Sequence, residues 1–287
     1  MTRPWETLAS VDTRDGKLEL LRRSERDFLI TIRGRVLMTS AAHRSEDELA
    51  KLGCEGLRTQ KRARVLLSGL GMGYTLRAAL SELAGDAFVW VSELNPVVVD
   101  WCRGPLGELT QGAARDRRVE LVVEDVAARV AQVALDSKQP RFHAIVLDMY
   151  EGPAGRPKPS DPLYGERAVL AYRAALVPEG KLAVWCEQAS PGFERALHHA
   201  GFKYELVRTG HGGRVHYVYV AKAPSEWRLR VDAQRAAERA AQGPRPAGPH
   251  RMRSGQSKGG AGESGGAARS GGGKRGGASK RPGRGRA

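Results

Sequence analysis

The residues in this chain best suited to chemistry are three glycines at alternate positions, Gly69, Gly71 and Gly73, and a set of carboxylates beyond them, Glu93, Asp125, Asp148 and Glu151. The glycines follow the apolar run Val65-Leu66-Leu67-Ser68 and lead directly into a helix-forming stretch. A strand, a tight turn and a helix N-terminus in that order present free backbone N–H groups and the positive end of a helix dipole to a ligand. Glycine allows the ligand close to the backbone where a side chain would block it. Tyr74 stands where a dinucleotide fingerprint would have its last glycine, so the spacing points to a nucleoside such as S-adenosylmethionine rather than to NAD. Simple strand-to-helix packing is the competing reading of the same turn. Glu93 lies 20 residues beyond Gly73, the spacing at which an acid can accept hydrogen bonds from both ribose hydroxyls. Asp125 ends a later strand, where a carboxylate can meet an exocyclic adenine amine. Asp148 closes the next strand, with Glu151 in the same loop. Each acid taken singly is equally well a solvated strand end or a helix cap, and Asp125 before Val126 is a fair cap candidate. Their common register with the glycine turn favours a site.

Positioning those acids requires alternating strands and helices. Apolar or β-branched runs predict strands at Val65–Ser68, Phe88–Ser92, Val119–Glu124, Phe142–Leu147, Leu182–Cys186, Tyr204–Arg208 and His216–Ala221. Helices are expected at Thr75–Leu83, Pro96–Cys102, Val126–Val133, Arg167–Leu176 and Phe193–Ala200. Ala144-Ile145-Val146-Leu147 has no polar alternation, as expected of a strand covered by helices on both faces. The fold class is therefore α/β, a doubly wound Rossmann-like sheet whose ligands lie beyond the carboxyl ends of its strands.

Ahead of that rhythm, residues 1–62 read as a small β unit. Leu18 to Leu21 follow Asp15-Gly16, and Phe28 to Ile32 connect through Arg33-Gly34 to Val36-Leu37-Met38 as a hairpin. A linker helix should begin near Ser45, with Ser45 as N-cap and Glu48 completing a capping box. The nucleoside-binding domain then spans residues 63–224, a helix is expected over 225–242, and 243–287 is a Gly/Arg/Lys-rich tail with too little apolar surface to order itself. The loop from Met149 to Pro162 carries Pro153, Pro157, Pro159 and Pro162, and serves as either a lid or a plain surface connection.

The formal net charge of the 287 residues is +15, of which residues 243–287 hold +10 and the preceding chain only +5. Basicity is thus concentrated in the tail, where it suits non-specific nucleic-acid contact or plain solvation. The tail has no aromatic residue on which bases could stack. Cys54, Cys102 and Cys186 are widely separated and form no Cys-x-x-Cys pair, which fits a reducing cytoplasm and argues against a structural zinc site. No run approaches the ~20 apolar residues of a membrane span and no signal-peptide stretch opens the chain, so a cytoplasmic protein is expected. His198, His199 and His211 have no acid or cysteine at ligand spacing, and no metal is expected. Trp90, Trp101 and Trp185 fall in predicted elements and are read as packing residues.

Taken together, Gly69-Leu70-Gly71-Met72-Gly73-Tyr74-Thr75-Leu76-Arg77, Glu93-Leu94-Asn95-Pro96, Glu124-Asp125, Asp148-x-x-Glu151-x-Pro153 and Pro162-Leu163-Tyr164 resemble the successive motifs of the spermidine synthase family over roughly residues 15–190. The resemblance implies a class I methyltransferase fold behind a small β domain. It also implies aminopropyl transfer from decarboxylated S-adenosylmethionine to an amine such as putrescine. On this pattern Gly69, Gly71, Met72 and Gly73 line the donor, Glu93 holds its ribose and Asp125 its adenine. Asp148 is then the proton acceptor and Glu151 binds the amine. A homodimer through the N-terminal β unit would follow the family.

Three departures concern the transferred group and its acceptor. Met72 stands where the family's glycine loop has an aspartate for the donor's amine end. Glu46-Asp47 replaces a Tyr-Gln pair, which adds both acids to the candidates for binding a cationic acceptor. The tyrosine- and proline-rich segment that closes the family's amine pocket is not recognisable near His211 to Tyr217. Removing the aspartate also removes a charge that would repel the carboxylate of intact S-adenosylmethionine, so a methyltransferase is the alternative. A non-catalytic protein that binds nucleic acid through its tail is the reading from a different class.

Overall fold

The computed structural model describes residues 3–150, 152, 153, 155, 157–209 and 215–226. The helix expected over 225–242, apart from its first two residues, and the tail over 243–287 lie outside these, as does His211.

The chain opens with four antiparallel strands in sequential order, β1 (Glu6–Thr13), β2 (Gly16–Ser24), β3 (Asp27–Ile32) and β4 (Arg35–Thr39). The expected Arg33-Gly34 hairpin is present. Both residues have positive φ, 50° and 74°, the geometry whose twist matches the flanking strands. Strand β1 escapes the sequence reading because Glu6-Thr-Leu-Ala-Ser-Val-Asp-Thr13 alternates weakly and, as an edge strand, buries little. One face of the sheet carries Leu18, Leu20, Phe28 and Ile30 into the main hydrophobic core. This sheet is thus continuous with the rest of the fold, and both belong to one compact unit.

Helix α1 (Arg44–Cys54) starts from His43, whose side chain makes no capping bond. The expected capping box is not formed. Ser45 is already inside the helix and its hydroxyl turns to the Glu46 carboxylate at 2.6 Å. The first-turn N–H groups receive no side-chain cap, and Glu46 and Asp47 supply the negative charge that the dipole favours.

From there strands and helices alternate: β5 (Arg64–Ser68), α2 (Tyr74–Ser81), β6 (Phe88–Glu93), α3 (Pro96–Arg103), β7 (Val119–Val123), α4 (Val126–Leu135), β8 (Phe142–Leu147), α5 (Glu166–Ala175), β9 (Leu176–Cys186), α6 (Pro191–His199), β10 (Lys203–Thr209) and β11 (His216–Lys222). The seven-stranded sheet has the order β10-β11-β9-β8-β5-β6-β7. β5 to β9 are parallel, and β11 inserts antiparallel between β9 and β10. The strand order reverses between β5 and β8, the place where an open α/β sheet leaves a crevice for ligand.

Two cores flank the sheet because successive side chains point to opposite faces. Val65 and Leu67 join the cluster with α1, α2 and α3, whereas Leu66, Ile145 and Leu147 join the one under α4, α5 and α6. Strand β9 begins at Leu176 rather than 182. Pro178 and Gly180 would ordinarily argue against strand, but here they occupy an irregular stretch. The pairing jumps from Phe142↔Leu176 to Ala144↔Lys181, and Glu179 takes φ 63°. Among the described residues no helix is long and apolar enough to cross a membrane.

Candidate functional site

The glycine turn lies at the carboxyl end of β5, between β6 and β8. Gly69, Gly71 and Gly73 have φ of 80°, 52° and 84°, a region costly for any residue with a side chain. The crowding is equally specific. A Cβ on Gly69 would lie 2.7 Å from the backbone oxygen of Asp148, and one on Gly71 would lie 2.9 Å from Met38 Sδ. The first glycine therefore lets the turn close against the end of β8, and the second lets the N-terminal sheet reach the turn.

Glu93 is buried, 6% exposed, and each of its oxygens accepts a backbone N–H: Oε2 from Leu70 at 2.9 Å and Oε1 from Asn95 at 2.8 Å. It locks the glycine turn to the end of β6, and its remaining lone pairs are those a ribose could use. Beside it, an open cleft of about 360 Å³ runs between the β1–β2 turn and the start of α3, with Val11, Thr13, Leu94 and Pro96 in its walls.

Asp125 caps α4, as the alternative reading of that residue supposed. Its Oδ1 accepts from the Ala127 N–H at 2.8 Å while the side chain stays exposed. The residue before it, Glu124, was given no role of its own in the sequence, yet it is the more heavily bonded. Glu124 accepts from Trp90 Nε1 and Ser92 Oγ, both at 2.8 Å, and is gripped by Arg129 through Nε and Nη2. Burial pushes its carboxyl up, but the bonds from Arg129, Ser92 and Trp90 outweigh this and hold it below the usual glutamate value. Arg129 also lies over the Trp90 ring at 4.0 Å. Trp90 is thus part of a corner brace between β6 and α4 as well as a packing residue.

Asp148 is part-buried at the end of β8. Its backbone N–H donates to Ser68 O at 3.2 Å, and its Oδ2 accepts from the Thr75 hydroxyl at 2.5 Å. Its carboxyl is pushed up to about 7, first by burial and then by the charge of Glu46, with the Thr75 bond acting the other way. Glu46, from the first turn of α1, is thereby brought within electrostatic reach of Asp148. Asp47 is not available in the same way. It is bound by Arg77 Nη2 at 2.7 Å and by His43 Nδ1 at 2.9 Å. His43 stacks on Tyr74, ring centroids 4.1 Å apart, and the Arg77 guanidinium lies over the same ring at 5.0 Å. Tyr74 Oη donates to Ser40 O. The replacement of glycine by tyrosine at the end of the turn thus has a local purpose: it docks α1 onto α2. The sequence assigned no role to Arg77 or His43, since the Asp47 partner of Arg77 and the Tyr74 ring under His43 come together only across the α1–α2 contact. Glu151 lies outside the described residues.

Met72 is fully buried and its N–H points to Met38 Sδ at 3.3 Å; Met149 Sδ lies 2.9 Å from Ser68 Oγ. The thioethers of Met38 and Met149 thus lie against the turn. Among the described residues no group of His, Cys, Asp and Glu could hold a metal ion, and Cys54, Cys102 and Cys186 are buried free thiols.

Comparison with known proteins agrees with this architecture. No protein-family model matches the chain. Among curated relatives, a polyamine aminopropyltransferase of Aeropyrum pernix is 29% identical over 168 residues, which is 57% of this chain and 49% of that protein. A polyamine aminopropyltransferase of Synechococcus sp. (strain JA-3-3Ab) is 27% identical over 169 residues, 56% of this chain and 52% of that protein. The chain spans about half the length of these relatives. Two solved structures share its fold, each with a TM-score of 0.58 at 18% identity, over 75% of this chain and 72% of the other. One is a spermidine synthase in complex with the transition state analogue AdoDATO, and the other is the spermidine synthase from Thermotoga maritima. The chain shares the fold of these spermidine synthases, and over the matched part of its sequence it is similar to polyamine aminopropyltransferases.

Proposed function

We propose that this chain is a transferase that moves an aminopropyl group from decarboxylated S-adenosylmethionine to a small cationic amine. The observation that carries the reading is the position of Asp148. A carboxyl pushed up to about 7 stands at the switch point of the sheet, against the glycine turn and within reach of a second acid, Glu46. The likeness to polyamine aminopropyltransferases supports the same chemistry.

The residues divide the work as follows. The glycine turn and Glu93 hold the donor nucleoside, and Asp125 offers its uncommitted Oδ2 to the adenine amine. Asp148 and Glu46, with Glu151, hold the acceptor as an ammonium ion. Asp47, tied to Arg77 and His43, contributes to the acceptor's field rather than to direct contact. Asp148 accepts a proton from the ammonium and exposes the nitrogen lone pair. That lone pair attacks the carbon next to the donor's sulfonium. The carbon–sulfur bond breaks with its electrons returning to sulfur, and methylthioadenosine leaves as a neutral thioether. Holding the two reactants together supplies much of the remaining rate. No metal takes part in this scheme.

Met72 favours a second reading. A buried methionine in the turn offers nothing to a donor ammonium and does not repel a donor carboxylate, so intact S-adenosylmethionine and methyl transfer remain the alternative. Calorimetry with the two donors in parallel separates them. Binding of the decarboxylated donor, with methylthioadenosine formed on adding a diamine, supports aminopropyl transfer. Binding of the intact donor with release of S-adenosylhomocysteine supports methyl transfer, and binding of neither rejects both. We further propose a cytosolic protein that pairs into a homodimer through the N-terminal sheet, with the basic tail making non-specific nucleic-acid contacts at low salt.

A further inference from the structure

The side chain that touches the Asp148 carboxylate comes from an unexpected place. Thr75 is the second residue of α2 and is buried, 3% exposed. A helical threonine ordinarily turns its hydroxyl back to a carbonyl of the preceding turn. Here no preceding helical turn exists, because Gly73 at φ 84° starts the helix directly from the glycine loop. The hydroxyl is therefore free to leave the helix, and it crosses 73 residues of sequence to donate to Asp148 Oδ2 at 2.5 Å. β-branching leaves its χ1 few choices, which narrows the hydroxyl's search. No described residue donates to Oδ1.

We propose that Thr75 is a positioning residue for Asp148: its hydroxyl occupies Oδ2, fixes the carboxyl's orientation, and reserves Oδ1 as the atom that takes the acceptor's proton. This rests on the transfer reading given above for its catalytic meaning, but the contact itself is independent of any substrate. The groups facing Asp148 from the surrounding elements set its charge balance. Glu46 on α1 opposes ionisation, the Thr75 hydroxyl on α2 favours it, and the buried Tyr164, whose hydroxyl has no partner among the described residues, loses its own proton less readily, first through burial and then through the charges of Asp161 and Asp148. A single neutral hydroxyl thus counteracts a neighbouring carboxylate, and removing it leaves Glu46 unopposed.

The test is a carbon-13 carboxyl NMR titration of the full chain, with the Asp148 signal assigned by its loss in Asp148→Asn. Thr75→Val removes the donor while keeping the shape, and Thr75→Ser restores the donor. The Asp148 midpoint should rise by about one pH unit in Thr75→Val and return to within a few tenths in Thr75→Ser. Thr75→Ala, which loses the hydroxyl without adding an apolar branch, is titrated alongside and should move like Thr75→Val, keeping the result readable if one variant folds poorly. The pH profile of kcat/KM with decarboxylated S-adenosylmethionine and putrescine should follow the same displacement, with KM for the donor little changed. Midpoints that coincide in all four proteins overturn the proposal. A displaced NMR midpoint without turnover sustains the Thr75 contact and counts against the transfer reading instead.

Discussion

At the scale of single residues, Asp148 makes the sharpest statements. A carboxyl pushed up to about 7 is half-protonated near neutrality, so kcat/KM should climb with pH and level off above about 7 as the base ionises, which a pH–rate series in overlapping buffers would read. Asp148→Asn should lower turnover by about 10²–10⁴-fold with donor binding retained, checked by calorimetry beside the kinetics. The same residue makes a stability prediction of opposite sense. In the unfolded chain Asp148 releases its proton near pH 4, in the folded chain only near 7, so between those values the folded state holds the extra proton and loses stability as pH rises. Asp148→Asn should therefore match wild type below about pH 4 and exceed it by ~2 kcal/mol above pH 7, after allowing for water reaching a part-buried group. Denaturant titrations at pH 4 and 8 decide this. Glu46→Gln should move the rate profile to lower pH, because one of the two influences raising Asp148 is gone, and should raise KM for the acceptor more than for the donor.

At the scale of elements, the glycine turn is held by contacts that a single methyl group would break. Gly69→Ala should cost at least about 2 kcal/mol, since it places a Cβ against the Asp148 backbone oxygen and forces a left-handed φ on alanine; urea unfolding gives the number. The far end of the helix that follows the turn is braced by Arg118. Its Nη1 donates to the carbonyls of Leu80, Leu83 and Ala84, while Asp116 holds the guanidinium from the other side. Arg118→Ala should destabilise by about 2 kcal/mol and leave the site chemistry intact, a combination that thermal melts and kinetics together would expose. These elements differ in how visible they are from sequence. The turn and the strand-end acids could be read directly, because a three-glycine spacing and an acid after an apolar run are local patterns. Asp125 as a cap was equally local. The Ser45 capping box failed because the cap falls two residues earlier, at His43, and boundary shifts of that size move a side chain off its donor. Thr75 and Arg77 were silent because their partners Asp148 and Asp47 lie 73 and 30 residues away along the chain, whereas the Glu124–Arg129 and His43–Asp47 pairs are local and carry no distinctive pattern.

At the scale of the whole molecule, the seven-stranded order with an antiparallel insertion was legible as a class but not in its details. Uninterrupted apolar strands announce a sheet covered on both faces, whereas the early start of β9 hides behind Pro178 and Gly180. The union of the N-terminal sheet with the main core was also invisible, since the residues that join them, Leu18, Leu20, Phe28 and Ile30, read only as the inner face of a small sheet. If the site is the nucleoside cradle proposed here, methylthioadenosine or the donor should raise Tm, by about 2.7 kcal/mol of added stability at a hundredfold excess over Kd. A thermal shift series against ligand concentration measures it.

The pairing of β5 with β8 has a consequence for how the molecule comes into being. Val65 meets Ala144 and Ser68 meets Leu147, so the two halves of the crevice are joined only after some 80 residues of intervening chain have been placed. The four N-terminal strands are linked by short turns and can form early, but the glycine turn has no partner at Asp148 until that long-range closure occurs. The capacity to bind ligand should thus appear late in refolding, with the slowest non-proline phase, rather than with the early gain of secondary structure. In a newly made chain the crevice does not exist until β8 has been synthesised, and a ligand present at that moment acts as a latch on the finished sheet.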